Sequence, residues 1–253
     1  MGVCKMMPLF KIAIYADGAD IAGMKEAYRW GFVKGFTTNP TLMRKAGIRH
    51  YEAFAKEAIA SIPDLPISFE VFSDDFLQME KEARKIAGWG KNVFVKIPIT
   101  NTKGESSTPL IKQLSSEGLS LNITAILTPH QVQSVAAVLD PASKTIVSVF
   151  AGRMADTGRD PVPLMSRSAA ILKPNQNAQL LWASSRELLN IFQAEACGCH
   201  IITITNDILK KLPLIGKDLT ELSLDTVKMF FSDAQSAGYK ILEDHELMPA
   251  MRD

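Results

Sequence analysis

Eight short runs of β-branched and apolar residues recur along the chain: Ile12–Ala16, Gly35–Thr38, Ile67–Phe72, Val93–Ile97, Leu119–Ile126, Thr145–Ala151, Gln179–Ala183 and Ile201–Thr205. Their starts lie about 22 to 34 residues apart, the length of one strand plus a crossover helix. Most are apolar almost throughout rather than alternating, as parallel strands covered by helices are. Between them, apolar residues fall at helical spacing: Met24, Ala27 and Tyr28; Leu77, Met79, Ala83 and Ile86; Val132, Val135, Ala136 and Leu139. Ser73 or Asp74 is placed to cap the Leu77 helix, and Thr128-Pro129 reads as an N-cap and first helical residue. Gly118 and Gly198 stand where helices should end.

Eight such units in 253 residues predict an α/β protein built as a closed (β/α)8 barrel, one domain over residues 1–253. An open doubly wound sheet is the alternative. It usually carries a Gly-rich turn after its first strand, and Asp17-Gly18-Ala19-Asp20 is not GxGxxG. After the eighth run, a helix over Asn206–Leu212 and a connector over Pro213–Leu219 lead to a last amphipathic helix, about Ser223–Ala237. Its apolar stripe is Leu224, Val227, Phe230 and Phe231. This C-terminal tail, about residues 219–253, is extra to the barrel and makes a homo-oligomer the expected assembly.

Charge and cysteine use narrow the function. Lys and Arg total 28 against 27 Asp and Glu, a net charge of +1, so neither nucleic acid nor an anionic membrane is an expected partner. No apolar run approaches the ~18 residues that span a bilayer. Met1–Lys11 has no h-region or cleavage site, and Met6 stands where a myristoylation motif needs Ser or Thr after Gly2. Cys4, Cys197 and Cys199 make no disulfide framework, so a cytoplasmic location is expected. Cys197 and Cys199 lack metal-ligating partners, since the adjacent His200 would point away on a strand. With His50, His130 and His245 scattered, no metal is expected.

In a parallel barrel the chemistry gathers at the C-terminal ends of the strands. Unusual polar residues fall there repeatedly: Asp17 after run one, Thr37-Thr38-Asn39-Pro40 at run two, Glu70 in run three and Lys96 in run four. Asn122 and Thr124 lie in run five, Ser148 and Arg153 in and after run six, and Ser184 and Arg186 after run seven. Lys96 is the most informative, an ammonium set in the apolar string Val93-Phe94-Val95-Lys96-Ile97-Pro98. Burial disfavours a lysine's charged form and frees the amine for Schiff-base chemistry. The structural alternative is an ion pair with Asp17 or Glu70. Two carboxyls in one pocket can divide the acid and base roles by environment. Asp20, just before the apolar-periodic stretch, reads as a helix cap instead. Arg153, Arg186 and Ser184 are suited to clamp an anion, because arginine holds phosphate bidentately.

Six motifs, in this order, resemble the transaldolase family, which includes the fructose-6-phosphate aldolases. They are Ala16-Asp17-Gly18-Ala19-Asp20-Ile21, Thr37-Thr38-Asn39-Pro40-Thr41-Leu42, Val95-Lys96-Ile97-Pro98, Leu121-Asn122-Ile123-Thr124, Ser148-Val149-Phe150-Ala151-Gly152-Arg153 and Ala183-Ser184-Ser185-Arg186. The resemblance implies a (β/α)8 enzyme without metal or organic cofactor, acting on sugar phosphates. By motif, Lys96 resembles the Schiff-base lysine and Asp17 the acid/base at the C4 hydroxyl. Glu70 and Thr124 resemble the pair that holds a catalytic water. Thr38 belongs to the same substrate-facing turn as Asn39. Asn39, Asn122 and Ser148 resemble contacts to the dihydroxyacetone part, and Arg153, Ser184 and Arg186 the phosphate clamp.

Two positions separate the subclasses. Transaldolases of the family carry Glu at the position of Glu70 and Phe at that of Phe150, where the aldolases carry Gln and Tyr. A phenyl ring cannot relay a proton, so this pair implies transfer of dihydroxyacetone rather than its release. The remaining alternatives are an aldolase releasing dihydroxyacetone, a variant for a specialised phosphorylated or sulfonated sugar, and a non-catalytic sugar-phosphate-binding barrel. The Ser148-Val149-Phe150 and Ala183-Ser184-Ser185-Arg186 segments depart from the Ser-Pro-Phe and Ala-Ser-Phe-Arg of familiar transaldolases.

Overall fold

The structure, a computed structural model, describes residues 10–241. The readings made on Gly2, Cys4, Met6, His245 and the end of the tail lie outside the described residues. These residues fall into two compact units divided between Pro213 and Leu214.

The first unit is a closed barrel of eight parallel strands in sequence order. They are β1 (Ala13–Asp17), β2 (Val33–Thr37), β3 (Ile67–Glu70), β4 (Val93–Pro98), β5 (Leu121–Ile126), β6 (Thr145–Val149), β7 (Ala178–Trp182) and β8 (Ile201–Thr205). The crossovers carry α1 (Ile21–Arg29), α2 (Pro40–Lys45), α3 (Tyr51–Ser61), α4 (Phe76–Ala87), α5 (Thr108–Ser116) and α6 (Pro129–Ala136). They continue with α7 (Ala151–Ala155), α8 (Val162–Leu172) and α9 (Leu189–Ala196), and α10 (Asn206–Leu209) follows β8. The eight predicted runs are the eight strands, with ends shifted by a residue or two.

Several local signals act as expected. Asp20 caps α1 by accepting from the Gly23 amide at 2.7 Å. Thr128 and Gln131 form a reciprocal capping box on α6. Gly118 and Gly198 take φ of +80° and +79° just past α5 and α9, where a Cβ would be strained. One cap differs: Asp75, not Ser73 or Asp74, caps α4, accepting from Gln78 at 3.0 Å. Ser73 is bonded to Glu82 at 2.6 Å, and Asp74 accepts from Thr102. Partners nine and 28 residues away are invisible to local capping rules. The predicted helix Asn206–Leu212 is α10 followed by a 3-10 turn over Leu212–Leu214.

Strand pleating sorts each strand into two faces. The outward residues Val95, Ile97, Leu121, Ile123, Val147, Leu180 and Ile202 are fully buried. Each contributes roughly 1.5–3 kcal/mol on leaving water. Inside, an apolar floor of Tyr15, Ile146, Leu181 and Ile201, with Ala13 and Phe94 against it, closes the barrel. Gly35 permits this floor, since a Cβ there would lie 2.5 Å from the Tyr15 ring. Above the floor the inward positions turn polar.

In the second unit α11 (Leu219–Ala237) starts earlier than the predicted Ser223, because Asp218 caps it through the Thr220 and Glu221 amides. None of its residues is buried, and Leu224, Val227, Phe230 and Phe231 are exposed.

Candidate active site

The polar layer opens into a cavity of about 440 Å³ at the C-terminal ends of the strands. Ladder register assembles its reacting groups. Glu70 of β3 pairs with Lys96 of β4, and Lys96 with Asn122 of β5, so three neighbouring strands present polar side chains at one height. Asp17 of β1 stands level with Thr37 of β2 and Thr205 of β8.

Lys96 is 6% exposed. Its Nζ donates to the Thr38 carbonyl at 2.8 Å and lies 3.3 Å from Glu70 Oε2. Both readings of Lys96 thus meet in one geometry: an ion pair with Glu70, and an amine facing a cavity.

Asp17 is partly exposed as a residue, but its carboxyl group sits deep in the barrel. Burial pushes its pKa above the usual carboxylate range; the Lys96 charge and the Thr37 hydroxyl pull it down, and the Glu70 charge adds to the rise. Thr37 Oγ1 donates to Asp17 Oδ1 at 2.7 Å and lies 2.5 Å from Thr203 Oγ1. A hydroxyl has one hydrogen, so with Thr37 donating to Asp17, Thr203 is the donor to Thr37. Two hydroxyls in series therefore stabilise the Asp17 carboxylate.

Thr124 Oγ1 is buried without a protein partner and lines the cavity. Its neighbour Ala125 lines it too, which a regular strand forbids because consecutive side chains oppose each other. The reason is a break in the β5–β6 ladder between Ile123 and Ile126, with Ala125 at φ +61°. A non-Gly residue there costs on the order of 1–2 kcal/mol.

Asn122, Ser148 and Thr38 form the wall. Ser148 Oγ donates to Asn122 Oδ1 at 2.6 Å, and Asn122 Nδ2 donates to Ser68 Oγ at 2.9 Å. The Thr38 hydroxyl donates to the Ser68 carbonyl at 2.9 Å. Ser148 lines the cavity, whereas Thr38 and Asn122 are not among its lining residues. Asn39 lines the cavity and also caps α2, its Oδ1 accepting from Leu42 at 2.9 Å.

Phe150, Arg153, Ser184 and Arg186 line the far side. The Arg153 guanidinium lies 5.3 Å from the Phe150 ring centre, a cation–π distance. Gly152 joins the loops after β6 and β7: a Cβ there would fall 1.5 Å from the Ser184 carbonyl oxygen. Ser184 itself sits at φ +61°. Arg186 is paired with Asp156 through two of its three guanidinium nitrogens, Nε and Nη2. Lys45 adds another cation to the lining.

Thr203, Ser68, Lys45 and Asp156 were not singled out from sequence. Thr37 and Gly152 stood within the family motifs, in the Thr37-Thr38-Asn39-Pro40 turn and the segment after run six, without a role of their own. Among the described residues, no three His, Cys, Asp or Glu side chains are grouped to hold a metal ion. His200 Nδ1 accepts from the Leu180 amide at 3.0 Å, so it serves the sheet. Cys197 and Cys199 are free and buried. No described helix is long and apolar enough to cross a membrane.

A parallel barrel with a buried amine and two carboxyls at its strand ends has the layout of a barrel enzyme. Solved structures share the fold. A monomeric dihydrodipicolinate synthase variant matches at TM-score 0.57 and 11% identity, over 92% of this chain and 82% of that one. Dihydrodipicolinate synthase from Rhodopseudomonas palustris matches at 0.53 and 14%, over 87% and 81%. At such identities the likeness is one of fold alone. The chain belongs to the transaldolase/fructose-6-phosphate aldolase family, which it matches over residues 14–244. A probable transaldolase of Dehalococcoides mccartyi is 34% identical over 216 residues, 84% of this chain and 96% of that protein. One from Thermoanaerobacter sp. is 33% identical over 228 residues, 90% and 99%. One from Thermoplasma acidophilum is 36% identical over 202 residues, 79% and 86%.

Proposed function

We propose that the protein is a transaldolase that moves a dihydroxyacetone unit from a ketose phosphate to an aldose phosphate through a Schiff base on Lys96. The observation that carries this reading is the buried Lys96 amine, held by Glu70 and Thr38 in the same cavity as the buried carboxyl of Asp17. The amine attacks the ketose C2 carbonyl, and the carbinolamine loses water to give a protonated imine. Glu70 and Thr124 hold the water that carries protons in and out of this step. Asp17 takes the C4 hydroxyl proton while the C3–C4 bond breaks, so the aldose phosphate leaves and the electron pair rests in an enamine. The enamine carbon then attacks the acceptor aldehyde, Asp17 returns the proton, and water frees the new ketose from Lys96. The imine is the electron sink, so this sequence needs neither metal nor organic cofactor.

Phe150 supports transfer over release. Its ring lines the cavity without a hydroxyl to protonate the enamine, which waits for an aldehyde. Arg153, Ser184 and Arg186 are the proposed phosphate holders, with Asn39 and Ser148 at the dihydroxyacetone end. A cytoplasmic place in the pentose phosphate pathway belongs to the same proposal, as does a homo-oligomer built through the exposed apolar stripe of α11. A solution mass near the chain's own 27.8 kDa would reject the oligomer.

The test is borohydride trapping with fructose 6-phosphate, read by intact mass and peptide mapping, with Lys96→Ala as control. The expected result is a reduced dihydroxyacetone adduct on Lys96 that disappears when erythrose 4-phosphate precedes the reductant. An adduct on another lysine, or none with any phosphorylated or sulfonated ketose, would overturn the assignment.

A further inference from the structure

The end of β3 lacks a neighbour on one side. The β2–β3 ladder has only two register pairs, Phe36 with Ile67 and Thr37 with Ser68. Its last bonds run from the Thr38 amide and hydroxyl to the Ser68 carbonyl, at 3.2 and 2.9 Å. The chain then turns through the Asn39 cap into α2, leaving no β2 backbone opposite Glu70. On the other side β4 is in place, with Glu70 in register with Lys96 and the Val71 amide bonded to the Lys96 carbonyl at 3.1 Å.

A single phenol fills the missing side. The Glu70 amide donates to Tyr51 Oη at 2.7 Å, and the Tyr51 hydroxyl donates to the Glu70 carbonyl at 2.9 Å. One oxygen thus satisfies both backbone groups that a paired strand would have served. Tyr51 is the first residue of α3, and its ring is fixed by Phe72 at 4.5 Å, Trp89 at 5.3 Å and Phe69 at 6.2 Å. Burial pushes the phenol's pKa far above its ordinary value. It therefore keeps the proton it donates at any working pH.

We propose that Tyr51 is a positioning residue for the Schiff-base chemistry: it stands in for β2 at the end of β3 and holds the Glu70 carboxylate at its 3.3 Å approach to the Lys96 amine. The inference rests on the role given to Glu70 above, since Tyr51 lies outside the cavity lining and acts through that residue. Without the phenolic oxygen, the Glu70 amide and carbonyl lose their partners and the strand end loosens. Water loss and water return at Lys96 then slow, while sugar binding is unaffected.

The experiment is a double-mutant cycle with Tyr51→Phe and Glu70→Gln, reading kcat, KM and the rate of borohydride-trappable adduct formation. Tyr51→Phe should lower kcat and the adduct rate about tenfold, with KM within about twofold of wild type. In the Glu70→Gln background it should change neither rate further, because residues acting through one another do not add. A rise in KM alone, or the same fold-loss in both backgrounds, would make Tyr51 a general packing residue and overturn the proposal. Full activity of Glu70→Gln alone would instead remove the role of Glu70, and the proposal with it, so the two failures are distinguishable. If Tyr51→Phe does not fold at the assay temperature, the same cycle is read at a lower temperature at which it does, under the same criteria.

Discussion

The two sides of the cavity hold charge in different ways. On the β1–β5 side, Lys96 is 6% exposed and is fixed by Glu70 and a backbone carbonyl, while Asp17 is fixed by two hydroxyls in series. On the β6–β7 side, the Arg186 and Asp156 side chains are 50% and 51% exposed, and Arg153 rests on an aromatic face. A buried charge is tuned by fixed neighbours and shielded from salt; an exposed one is hydrated, mobile and screened. Bond-making chemistry needs the first environment, because a displaced proton acceptor costs orders of magnitude. Holding a phosphate that comes and goes is compatible with the second.

Removing Lys96 should have the largest effect. Lys96→Ala should abolish adduct formation and reduce kcat/KM on the order of 10⁴-fold or more, measured with a coupled aldose assay. Asp17→Asn should cost about 10²- to 10⁴-fold in kcat, with the melting temperature held or raised. The pH dependence follows from the raised pKa of Asp17. Above the ordinary carboxylate value and below the folded one, only the native state holds this proton. The stability linked to Asp17 is therefore greatest at low pH and is lost as pH rises through the folded value. Asp17→Asn should remove that slope in a series of thermal melts. Over the same interval wild-type kcat should rise with pH, as the carboxylate form appears.

Effects on the exposed side should be smaller and of another kind. Arg186→Ala should raise KM for a phosphorylated ketose about ten- to a hundredfold with kcat nearly kept, the difference vanishing for the unphosphorylated sugar. Asp156→Ala, which releases the guanidinium, should lower that KM by a smaller factor. At about 0.5 M salt, where the Debye length is only a few ångströms, wild-type KM should rise and kcat hold. A salt-sensitive kcat would break the contrast between the two sides. The smallest change expected is Thr203→Val, which removes the outer hydroxyl of the pair behind Asp17. A loss of about three- to tenfold in kcat is the size of one hydrogen bond.

Legibility differed between these regions for a physical reason. Lys96, Asp17 and Glu70 stood out because each is an ionisable group in or just after an apolar strand, an anomaly visible along the chain itself. Arg153 and Arg186 were legible by their position after consecutive strands, but Asp156 was not, since a lone carboxylate on a short helix has no local signature. Asp75 displaced Ser73 and Asp74 as a cap because Glu82, farther along α4, and Thr102, 28 residues on, claimed those two. Thr203 and Ser68 sit within strands and Tyr51 at a helix start with no local feature that marks them.

The alternation of eight apolar runs with amphipathic helices, read with the twist and handedness rules of parallel strands, was enough to determine the barrel and the end at which chemistry gathers. Local pattern also determined the caps at Asp20 and Thr128 and the helix stops at Gly118 and Gly198, because those depend on neighbours a few residues away. Only the tertiary structure decided which side chains share a hydrogen bond: the Thr203–Thr37–Asp17 series, the Ser148–Asn122–Ser68 wall, the Gly152–Ser184 contact and the Tyr51 clamp on Glu70. Strand register sets the partners that lie on strands, and the connecting loops and helices set the others. Register is a property of two strands together, so neither strand's own residues can state it.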